Sequence, residues 1–598
     1  MSLGWRPRRP HSVSFARAAL AGAALGALLG ILAATGEVVW VAWSVRGAGF
    51  RPELLLYGAV IEGGLGLAVG LLLGLVWSVW SAGRVQARAR VGLVVREASP
   101  AAGPTLTRRA ALRLGLALAS AGGLGVLTLA WATDGRRQAA WAQAAPARLA
   151  SRADGPPNIL LVTLDTVRSD YLRVYGHPSI QTPNLDRLAA QGARFDLQIV
   201  QQPQTNPSHA SMFTGMYPSS SGVRVHMVDT LPANLDTLAT LLNGAGYATA
   251  ALYSWLSFDP QYCQFQRGFQ VYQNVAPGGP AALDNPIGKE VAADYRVARE
   301  YLLLPKMLNQ ATGVQQRIEE IAKGRADLTT DAAIAQLQAV HGQPFFLWLH
   351  YFDPHYPYQP PAELADQYDS GYSGPIDSSM ATVDAIDSGA LVPRGADLRR
   401  LVSLYEGELT FLDLHLGRLL AALDTLGLAD TTVIAVTADH GEAFGEHTQE
   451  IVGPPFFHPH SLYNTEQRVP LLLRYPPLIR PGTVVSVPTQ AIDLFPTLLE
   501  LAGVPVPAQS QGRSLRGLLD GSDDGHDRAA FSALADYTFT SVTVPGWKFI
   551  LNNASGHRQL FDLQADPNET HDLAGAQPDL AQRLAEQTQT WMKAVGIS

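Results

Sequence analysis

Three apolar runs fill most of the first 131 residues, at about residues 18–43, 54–80 and 110–131. Each is long enough to cross a bilayer, which takes roughly 20 residues. A chain that opens this way is split into a membrane region and whatever follows it. Trp40 and Trp43, Trp77 and Trp80, and Trp131 stand near the ends of the runs, where an amphipathic ring favours the membrane–water interface. Arg113 lies in the first turn of the third run and shortens it. Arginine placement sets the orientation. Arg6, Arg8, Arg9 and Arg17 precede the first run, and Arg84, Arg88, Arg90, Arg96, Arg108 and Arg109 crowd the segment between the second and third. The first connection carries only Arg46 and Arg51, beside Glu53. The positive-inside bias therefore predicts a multi-pass protein of the cell membrane, with everything after the third run on the periplasmic or extracytoplasmic side. If the third run did not cross, that part would be cytoplasmic. Arg108-Arg109 ahead of apolar residues looks like a twin-arginine export signal, but its internal position argues for a plain span. Glu37 and Glu62 lie at similar depth in the first two runs and read as carboxylates near the interface, hydrogen-bonded across the hairpin.

The pattern then changes twice. Residues 1–135 form the membrane region, and residues 136–156, rich in Ala, Gln and Arg with Pro146 and Pro156, read as a tether. From there strands and helices alternate. Residues 158–165, 247–252, 344–350 and 432–439 are continuous apolar runs of strand length. Helices are expected at 183–191, closed by Gly192, at 235–242, and at about 405–426. Unbroken apolar strands alternating with helices predict an α/β fold with a mostly parallel sheet sandwiched by helices. Segments 277–339 and 366–401 have weaker patterns and read as insertions. The expected division is a catalytic domain over 157–505 and a smaller C-terminal α+β subdomain over 506–598. The net charge of −8 gives no general attraction to nucleic acid, which is not an expected partner. Cys263 is the single cysteine, so no internal disulfide can form, and it reads as a small buried hydrophobe.

Three clusters carry chemistry: Asp165-Thr166, Thr205-Asn206-Pro207-Ser208-His209 and Asp439-His440-Gly441-Glu442. Asp165 and Asp439 each end an apolar strand, the edge at which open α/β sheets bind ligands. Asp and His supply oxygen and nitrogen donors suited to a divalent cation. Pro207 starts a helix that Gly215 stops, which puts Thr205 just ahead of a helix N-terminus, where free N–H groups stabilise an anion. A hydroxyl beside a metal in such a place can be deprotonated and can attack a phosphoryl or sulfuryl centre.

Taken with their surroundings, these clusters resemble the sulfatase family of the alkaline phosphatase superfamily. The likeness runs through Thr182-Pro-Asn-Leu-Asp-Arg-Leu-Ala-Ala-Gln-Gly192, Thr205-Asn-Pro-Ser-His-Ala-Ser-Met-Phe-Thr-Gly215, His350-Tyr-Phe-Asp-Pro-His355, Asp439-His-Gly-Glu442, Glu466-Gln-Arg-Val-Pro470 and Leu560-Phe-Asp562. It covers most of residues 156–573 and leaves the membrane region outside. The resemblance implies an alkaline-phosphatase-like core in which Asp165, Asp439 and His440 are metal ligands and Thr205 is both ligand and nucleophile. Thr166 stands where a second carboxylate ligand is usual, as a weaker donor. His355 resembles a histidine that meets the ester or its leaving group. His460 matches a position where a cationic side chain meets the transferred group, His209 replaces an arginine that usually ends the nucleophile motif, and both would stabilise charge on that group. A second metal held by Asp353, His355 and His460 would follow the two-metal relatives. His350, His447 and His458 read as supporting or surface residues.

The departures from the family pattern shape the expected chemistry. Family sulfatases convert a cysteine or serine to formylglycine, and Thr205 cannot be converted that way, so no formylglycine is expected. Threonine here resembles the phosphodiesterases and phosphate-group transferases of the superfamily. Fewer carboxylates around the metal favour manganese or zinc, with calcium also compatible. The expected function is a metal-dependent hydrolase or transferase acting on phosphate mono- or diesters, anchored in the lipid bilayer, with an envelope lipid or glycan as substrate. The alternatives are a sulfatase working without formylglycine and a non-catalytic metal-containing envelope protein.

Overall fold

The computed structural model describes residues 155–276, 325–340 and 342–597. The three apolar runs, the tether apart from its last two residues, Glu37 and Glu62 lie outside the described residues. Among those described, no helix is long and apolar enough to cross a membrane.

The strand β1 (Asn158–Leu164) is buried along its whole length. It lies between β5 (Phe345–Tyr351) and β6 (Thr432–Ala438), parallel to both. A strand covered on both faces has no solvent side, which is why its sequence is an unbroken apolar run. The other members of the sheet are β2 (Ala193–Ile199), β3 (Ala248–Tyr253), β4 (Val271–Asn274), β9 (Arg468–Arg474) and β10 (Thr483–Gln490). A two-residue pair, β7 (Ala443–Phe444) and β8 (Phe456–Phe457), stands apart from it. The eight-stranded order is β10-β2-β9-β6-β1-β5-β3-β4. The sheet is mixed: β9 runs against both neighbours, β2 and β6, and the remaining pairs are parallel.

Helix α1 (Pro183–Gln191) keeps its expected bounds. Its N-terminal donors are satisfied from far along the chain, since Asn184 N–H and Leu185 N–H donate to the Asp413 carboxylate at 3.1 and 2.8 Å. Helix α2 (Thr205–Thr214) starts two residues earlier than expected, at Thr205 itself, and ends where Gly215 takes φ 68. All ten of its residues are buried, so it shows no polar face. Helix α3 (Leu238–Gly244) starts later than expected because Thr237 caps it, accepting from Thr240 N–H at 3.1 Å. The expected insertion over 277–339 ends in a core element instead: helix α4 (Ala326–Val340) packs on β3, β5 and the long α5 (Ala396–Thr425). Its buried side is made largely of Ala and Thr, which is why the apolar signal was weak. Helix α6 (Leu494–Leu501) follows β10, the last strand of this sheet in the chain. A four-stranded antiparallel sheet follows, β11 (Ala530–Ala533), β12 (Phe539–Val544), β13 (Trp547–Asn552) and β14 (Arg558–Asp562), with α7 (Pro578–Ala594) packed on it. Cys263 is buried, with its Sγ 3.2 Å from the Phe258 carbonyl.

Candidate active site and metal centre

Leu164 and Ala438 are register partners at the ends of β1 and β6, so the next residues, Asp165 and Asp439, emerge side by side at one sheet edge. Asp439 Oδ1 accepts from the backbone N–H of Thr166 at 3.2 Å and of His440 at 2.9 Å. Its Oδ2 makes no hydrogen bond among the described residues and lies 3.6 Å from His440 Nε2. His440 Nδ1 faces the Gly441 carbonyl at 3.0 Å. A carbonyl only accepts, so Nδ1 carries a hydrogen, and Nε2 is the ring nitrogen turned to the carboxylates. Gly441 is required there: a Cβ on it would stand 2.1 Å from the Thr465 carbonyl oxygen.

His440 Nε2 is 3.9 Å from Asp165 Oδ1 and 3.4 Å from Thr205 Oγ1. Ligand atoms of Asp165, Asp439 and His440 lie within 4.8 Å of one another, the one such group among the described residues. Asp353, His355 and His460 form no second group of this kind. Thr166 takes φ 57, a strained conformation for a β-branched residue, braced by Tyr405 O–H donating to its carbonyl at 2.8 Å. The buried Thr166 Oγ1 makes no hydrogen bond among the described residues. Burial, then the neighbouring Asp165 charge, pushes the Asp439 carboxyl above its ordinary range. Two buried carboxylates and an imidazole nitrogen gathered at one point, with Asp439 Oδ2 making no hydrogen bond among the described residues, fit a divalent cation.

Behind this centre Thr163 Oγ1 gathers three rings. Trp348 Nε1–H donates to it at 3.0 Å, and His350 Nδ1 and His209 Nε2 each lie at 3.0 Å. His350 Nε2 lies 3.2 Å from Asp165 Oδ2 and orients that carboxylate from behind. His209, expected to stabilise charge on the transferred group, is placed otherwise. It has no exposed surface, donates Nδ1–H to the Thr205 carbonyl at 2.8 Å, and packs edge-on against Phe258 at 4.7 Å. Burial lowers its pKa to about 3, so it is a neutral support beneath Thr205.

His355 stacks on Phe352 with centroids 4.6 Å apart and donates Nδ1–H to the Tyr356 carbonyl at 2.6 Å. His458 reaches the centre, with its ring centroid 4.1 Å from that of His440 and 5.1 Å from that of His355. Its Nδ1 lies 2.8 Å from Glu442 Oε1, while Tyr358 O–H donates to Glu442 Oε2 at 3.0 Å. Burial raises the Glu442 carboxyl to about 8. His460, expected at the transferred group, donates Nδ1–H to the Val452 carbonyl at 2.8 Å, and burial lowers its pKa. His458 and His460 lie on a bend rather than a strand, so their two-residue spacing does not by itself say which of them approaches the centre. His447 stacks on Tyr463 at 3.6 Å.

A family model described as Sulfatase matches residues 157–504, and one described as N-sulphoglucosamine sulphohydrolase, C-terminal, matches residues 454–594. A multifunctional alkaline phosphatase superfamily protein, PehA, of Trinickia caryophylli is 28% identical over 73% of this chain and 95% of its own length. The steryl-sulfatase of Mus musculus is 29% identical over 64% of this chain and 67% of its own length. The crystal structure of the phosphonate monoester hydrolase of Agrobacterium radiobacter superposes with a TM-score of 0.55 at 22% identity, covering 73% of this chain and 96% of that one, which shows the shared fold. With a family model covering more than half of its length, the chain belongs to the sulfatase family and is an ester hydrolase.

Proposed function

We propose that this sulfatase-family hydrolase cleaves phosphate mono- or diesters, with Thr205 as nucleophile, and passes the group to water or to an acceptor. The observation that carries this reading is the position of Thr205 Oγ1, at the first turn of α2 and 3.4 Å from His440 Nε2. Asp165, Asp439 and His440 would hold a divalent cation, manganese or zinc by donor type, with Thr166 as a weaker fourth donor; when bound it lowers the pKa of the Thr205 hydroxyl and offsets oxyanion charge. Thr205 Oγ, its proton released to solvent, attacks phosphorus, and the bond to the leaving oxygen breaks in line. The N-terminus of α2 faces the charge that develops on the equatorial oxygens. His355 delivers a proton to the leaving oxygen through Nε2, because Nδ1 is committed to the Tyr356 carbonyl. His209 fixes the carbonyl of Thr205 from below. A threonine ester has no hemiacetal to collapse, so it is cleared by attack at phosphorus.

The same reading places the catalytic part outside the cytoplasm, tethered by residues 136–156 to a membrane region over residues 1–135, and makes an envelope lipid or glycan the substrate. Turnover of aryl phosphate, phosphodiester and sulfate esters with Mn²⁺, Zn²⁺ or Ca²⁺ tests it, on wild type and Thr205→Ala. Equal activity in both proteins would sink the nucleophile assignment. The second reading, sulfate ester cleavage without formylglycine, is supported by the likeness to steryl-sulfatase, and a sulfate-only profile would establish it.

A further inference from the structure

A cavity of about 370 Å³ lies where β2, β9 and β10 meet the β12–β13 turn and the segment after β14. Arg194 and Arg468 bring two guanidinium groups to its wall, and Asp196 brings one carboxylate. Asp196 is fully used: Oδ1 accepts from Arg194 Nε at 2.8 Å, and Oδ2 accepts from Ser486 O–H at 3.1 Å. Arg468 has no such partner. It is half-buried, only its Nε is engaged among the described residues, and that bond goes to the neutral carbonyl of Asp196 at 2.8 Å. The other nearby charges are taken. Asp170 feels Arg468 but is bound twice by Arg168, at 2.7 and 3.0 Å, and Lys548 is paired with Glu569 at 2.9 Å.

Asn464 adds an independent signal. It lines the same cavity and is 8% exposed. Its Oδ1 accepts from Lys548 Nζ at 2.9 Å, which fixes the amide orientation, and its buried Nδ2 makes no hydrogen bond among the described residues. An unmatched buried donor is costly unless something accepts from it. Gln564 stands exposed at the rim, and Leu563 and Pro567 supply an apolar wall. The volume suits a small molecule.

We propose that this cavity binds a phosphate or sulfate group, free or at the end of a small molecule, through the Arg468 guanidinium and Asn464 Nδ2, separately from the ester-cleaving centre. A planar guanidinium with both terminal nitrogens available is the group best shaped for a tetrahedral oxyanion.

The test uses calorimetric titration of chelator-treated Thr205→Ala protein with orthophosphate and with glucose 6-phosphate, which distinguishes a free anion from a phosphorylated molecule. Saturable binding of either probe is expected. It should fall at least tenfold in Arg468→Gln, partly return in Arg468→Lys, and fall again in Gln564→Glu, where a negative charge is added on exposed surface without touching the core. Binding that is indifferent to both Arg468→Gln and Gln564→Glu would overturn the proposal. So would binding abolished by Asp165→Asn alone, which would locate the anion at the catalytic centre.

Discussion

Asp439→Asn separates the electrostatic role of this carboxylate from its structural one. The two backbone bonds that hold it, from Thr166 N–H and His440 N–H, both end on Oδ1, and an amide oxygen can keep them. The atom that changes chemistry is Oδ2, which makes no hydrogen bond among the described residues. Without a cation the substitution removes one of two crowded buried charges, so the chelated variant should unfold at the wild-type temperature or slightly above it. With a cation at about 1,000 times its Kd, the wild type should gain about 4 kcal/mol, and a hundredfold loss of affinity would cancel about 2.7 kcal/mol of that gain. Unfolding entropy of about 2.1 cal/mol/K per residue over roughly 400 residues is about 0.85 kcal/mol/K. The cation-induced rise in Tm should therefore be about 5 °C for wild type and about 1.5 °C for the variant. Differential scanning calorimetry with EDTA, Mn²⁺ and Zn²⁺ measures both. A full cation-induced shift in the variant would refute the ligand assignment. A large loss of stability in EDTA would show that Oδ2 is structural.

Three further outcomes are expected. Lys548→Met strands the buried Glu569 carboxylate and should cost about 3–5 kcal/mol by calorimetry, most of it recovered when Glu569→Gln is added; no recovery would mean that packing, not charge, is at stake. Asp413, raised by burial to about 6 from an ordinary 3.8, binds more protons folded than unfolded between those values. Its contribution is therefore fully present below pH 4 and declines by up to about 3 kcal/mol as pH rises through 6, so urea denaturation of wild type against Asp413→Asn should show that slope only in wild type. His209→Leu should lower kcat about 10–100-fold with little change in KM and no change in the pH profile above pH 5, because the ring is neutral there; loss of a titration near neutrality would restore the cationic role.

Much of the centre was legible because its residues sit where the pattern breaks. Asp165 and Asp439 each end an apolar run, and register brings them together. Thr205 was marked by Pro207 and Gly215, although the helix begins at Thr205 itself. What stayed hidden has physical reasons. An apolar strand reads the same in either direction, so nothing marked β9 as antiparallel. The helix cap that Asp413 supplies to Asn184 spans 229 positions, beyond any local motif. His209 could not be told from a surface histidine, because α2 is buried on every side and has no polar face against which a buried polar residue would stand out. That burial also bears on cation binding. With Asp165 and Asp439 removed from solvent, their negative charges are not screened by water and would be opposed by a bound cation. A substitution that wets α2 from behind should therefore weaken cation affinity without touching a ligand. Phe258, packed edge-on against both His209 and His350, is the residue at which to test it. Phe258→Ser should lower cation affinity in a calorimetric titration while Phe258→Leu retains it, and equal affinity in the two would show that the ligands alone, not their dry surroundings, set the binding.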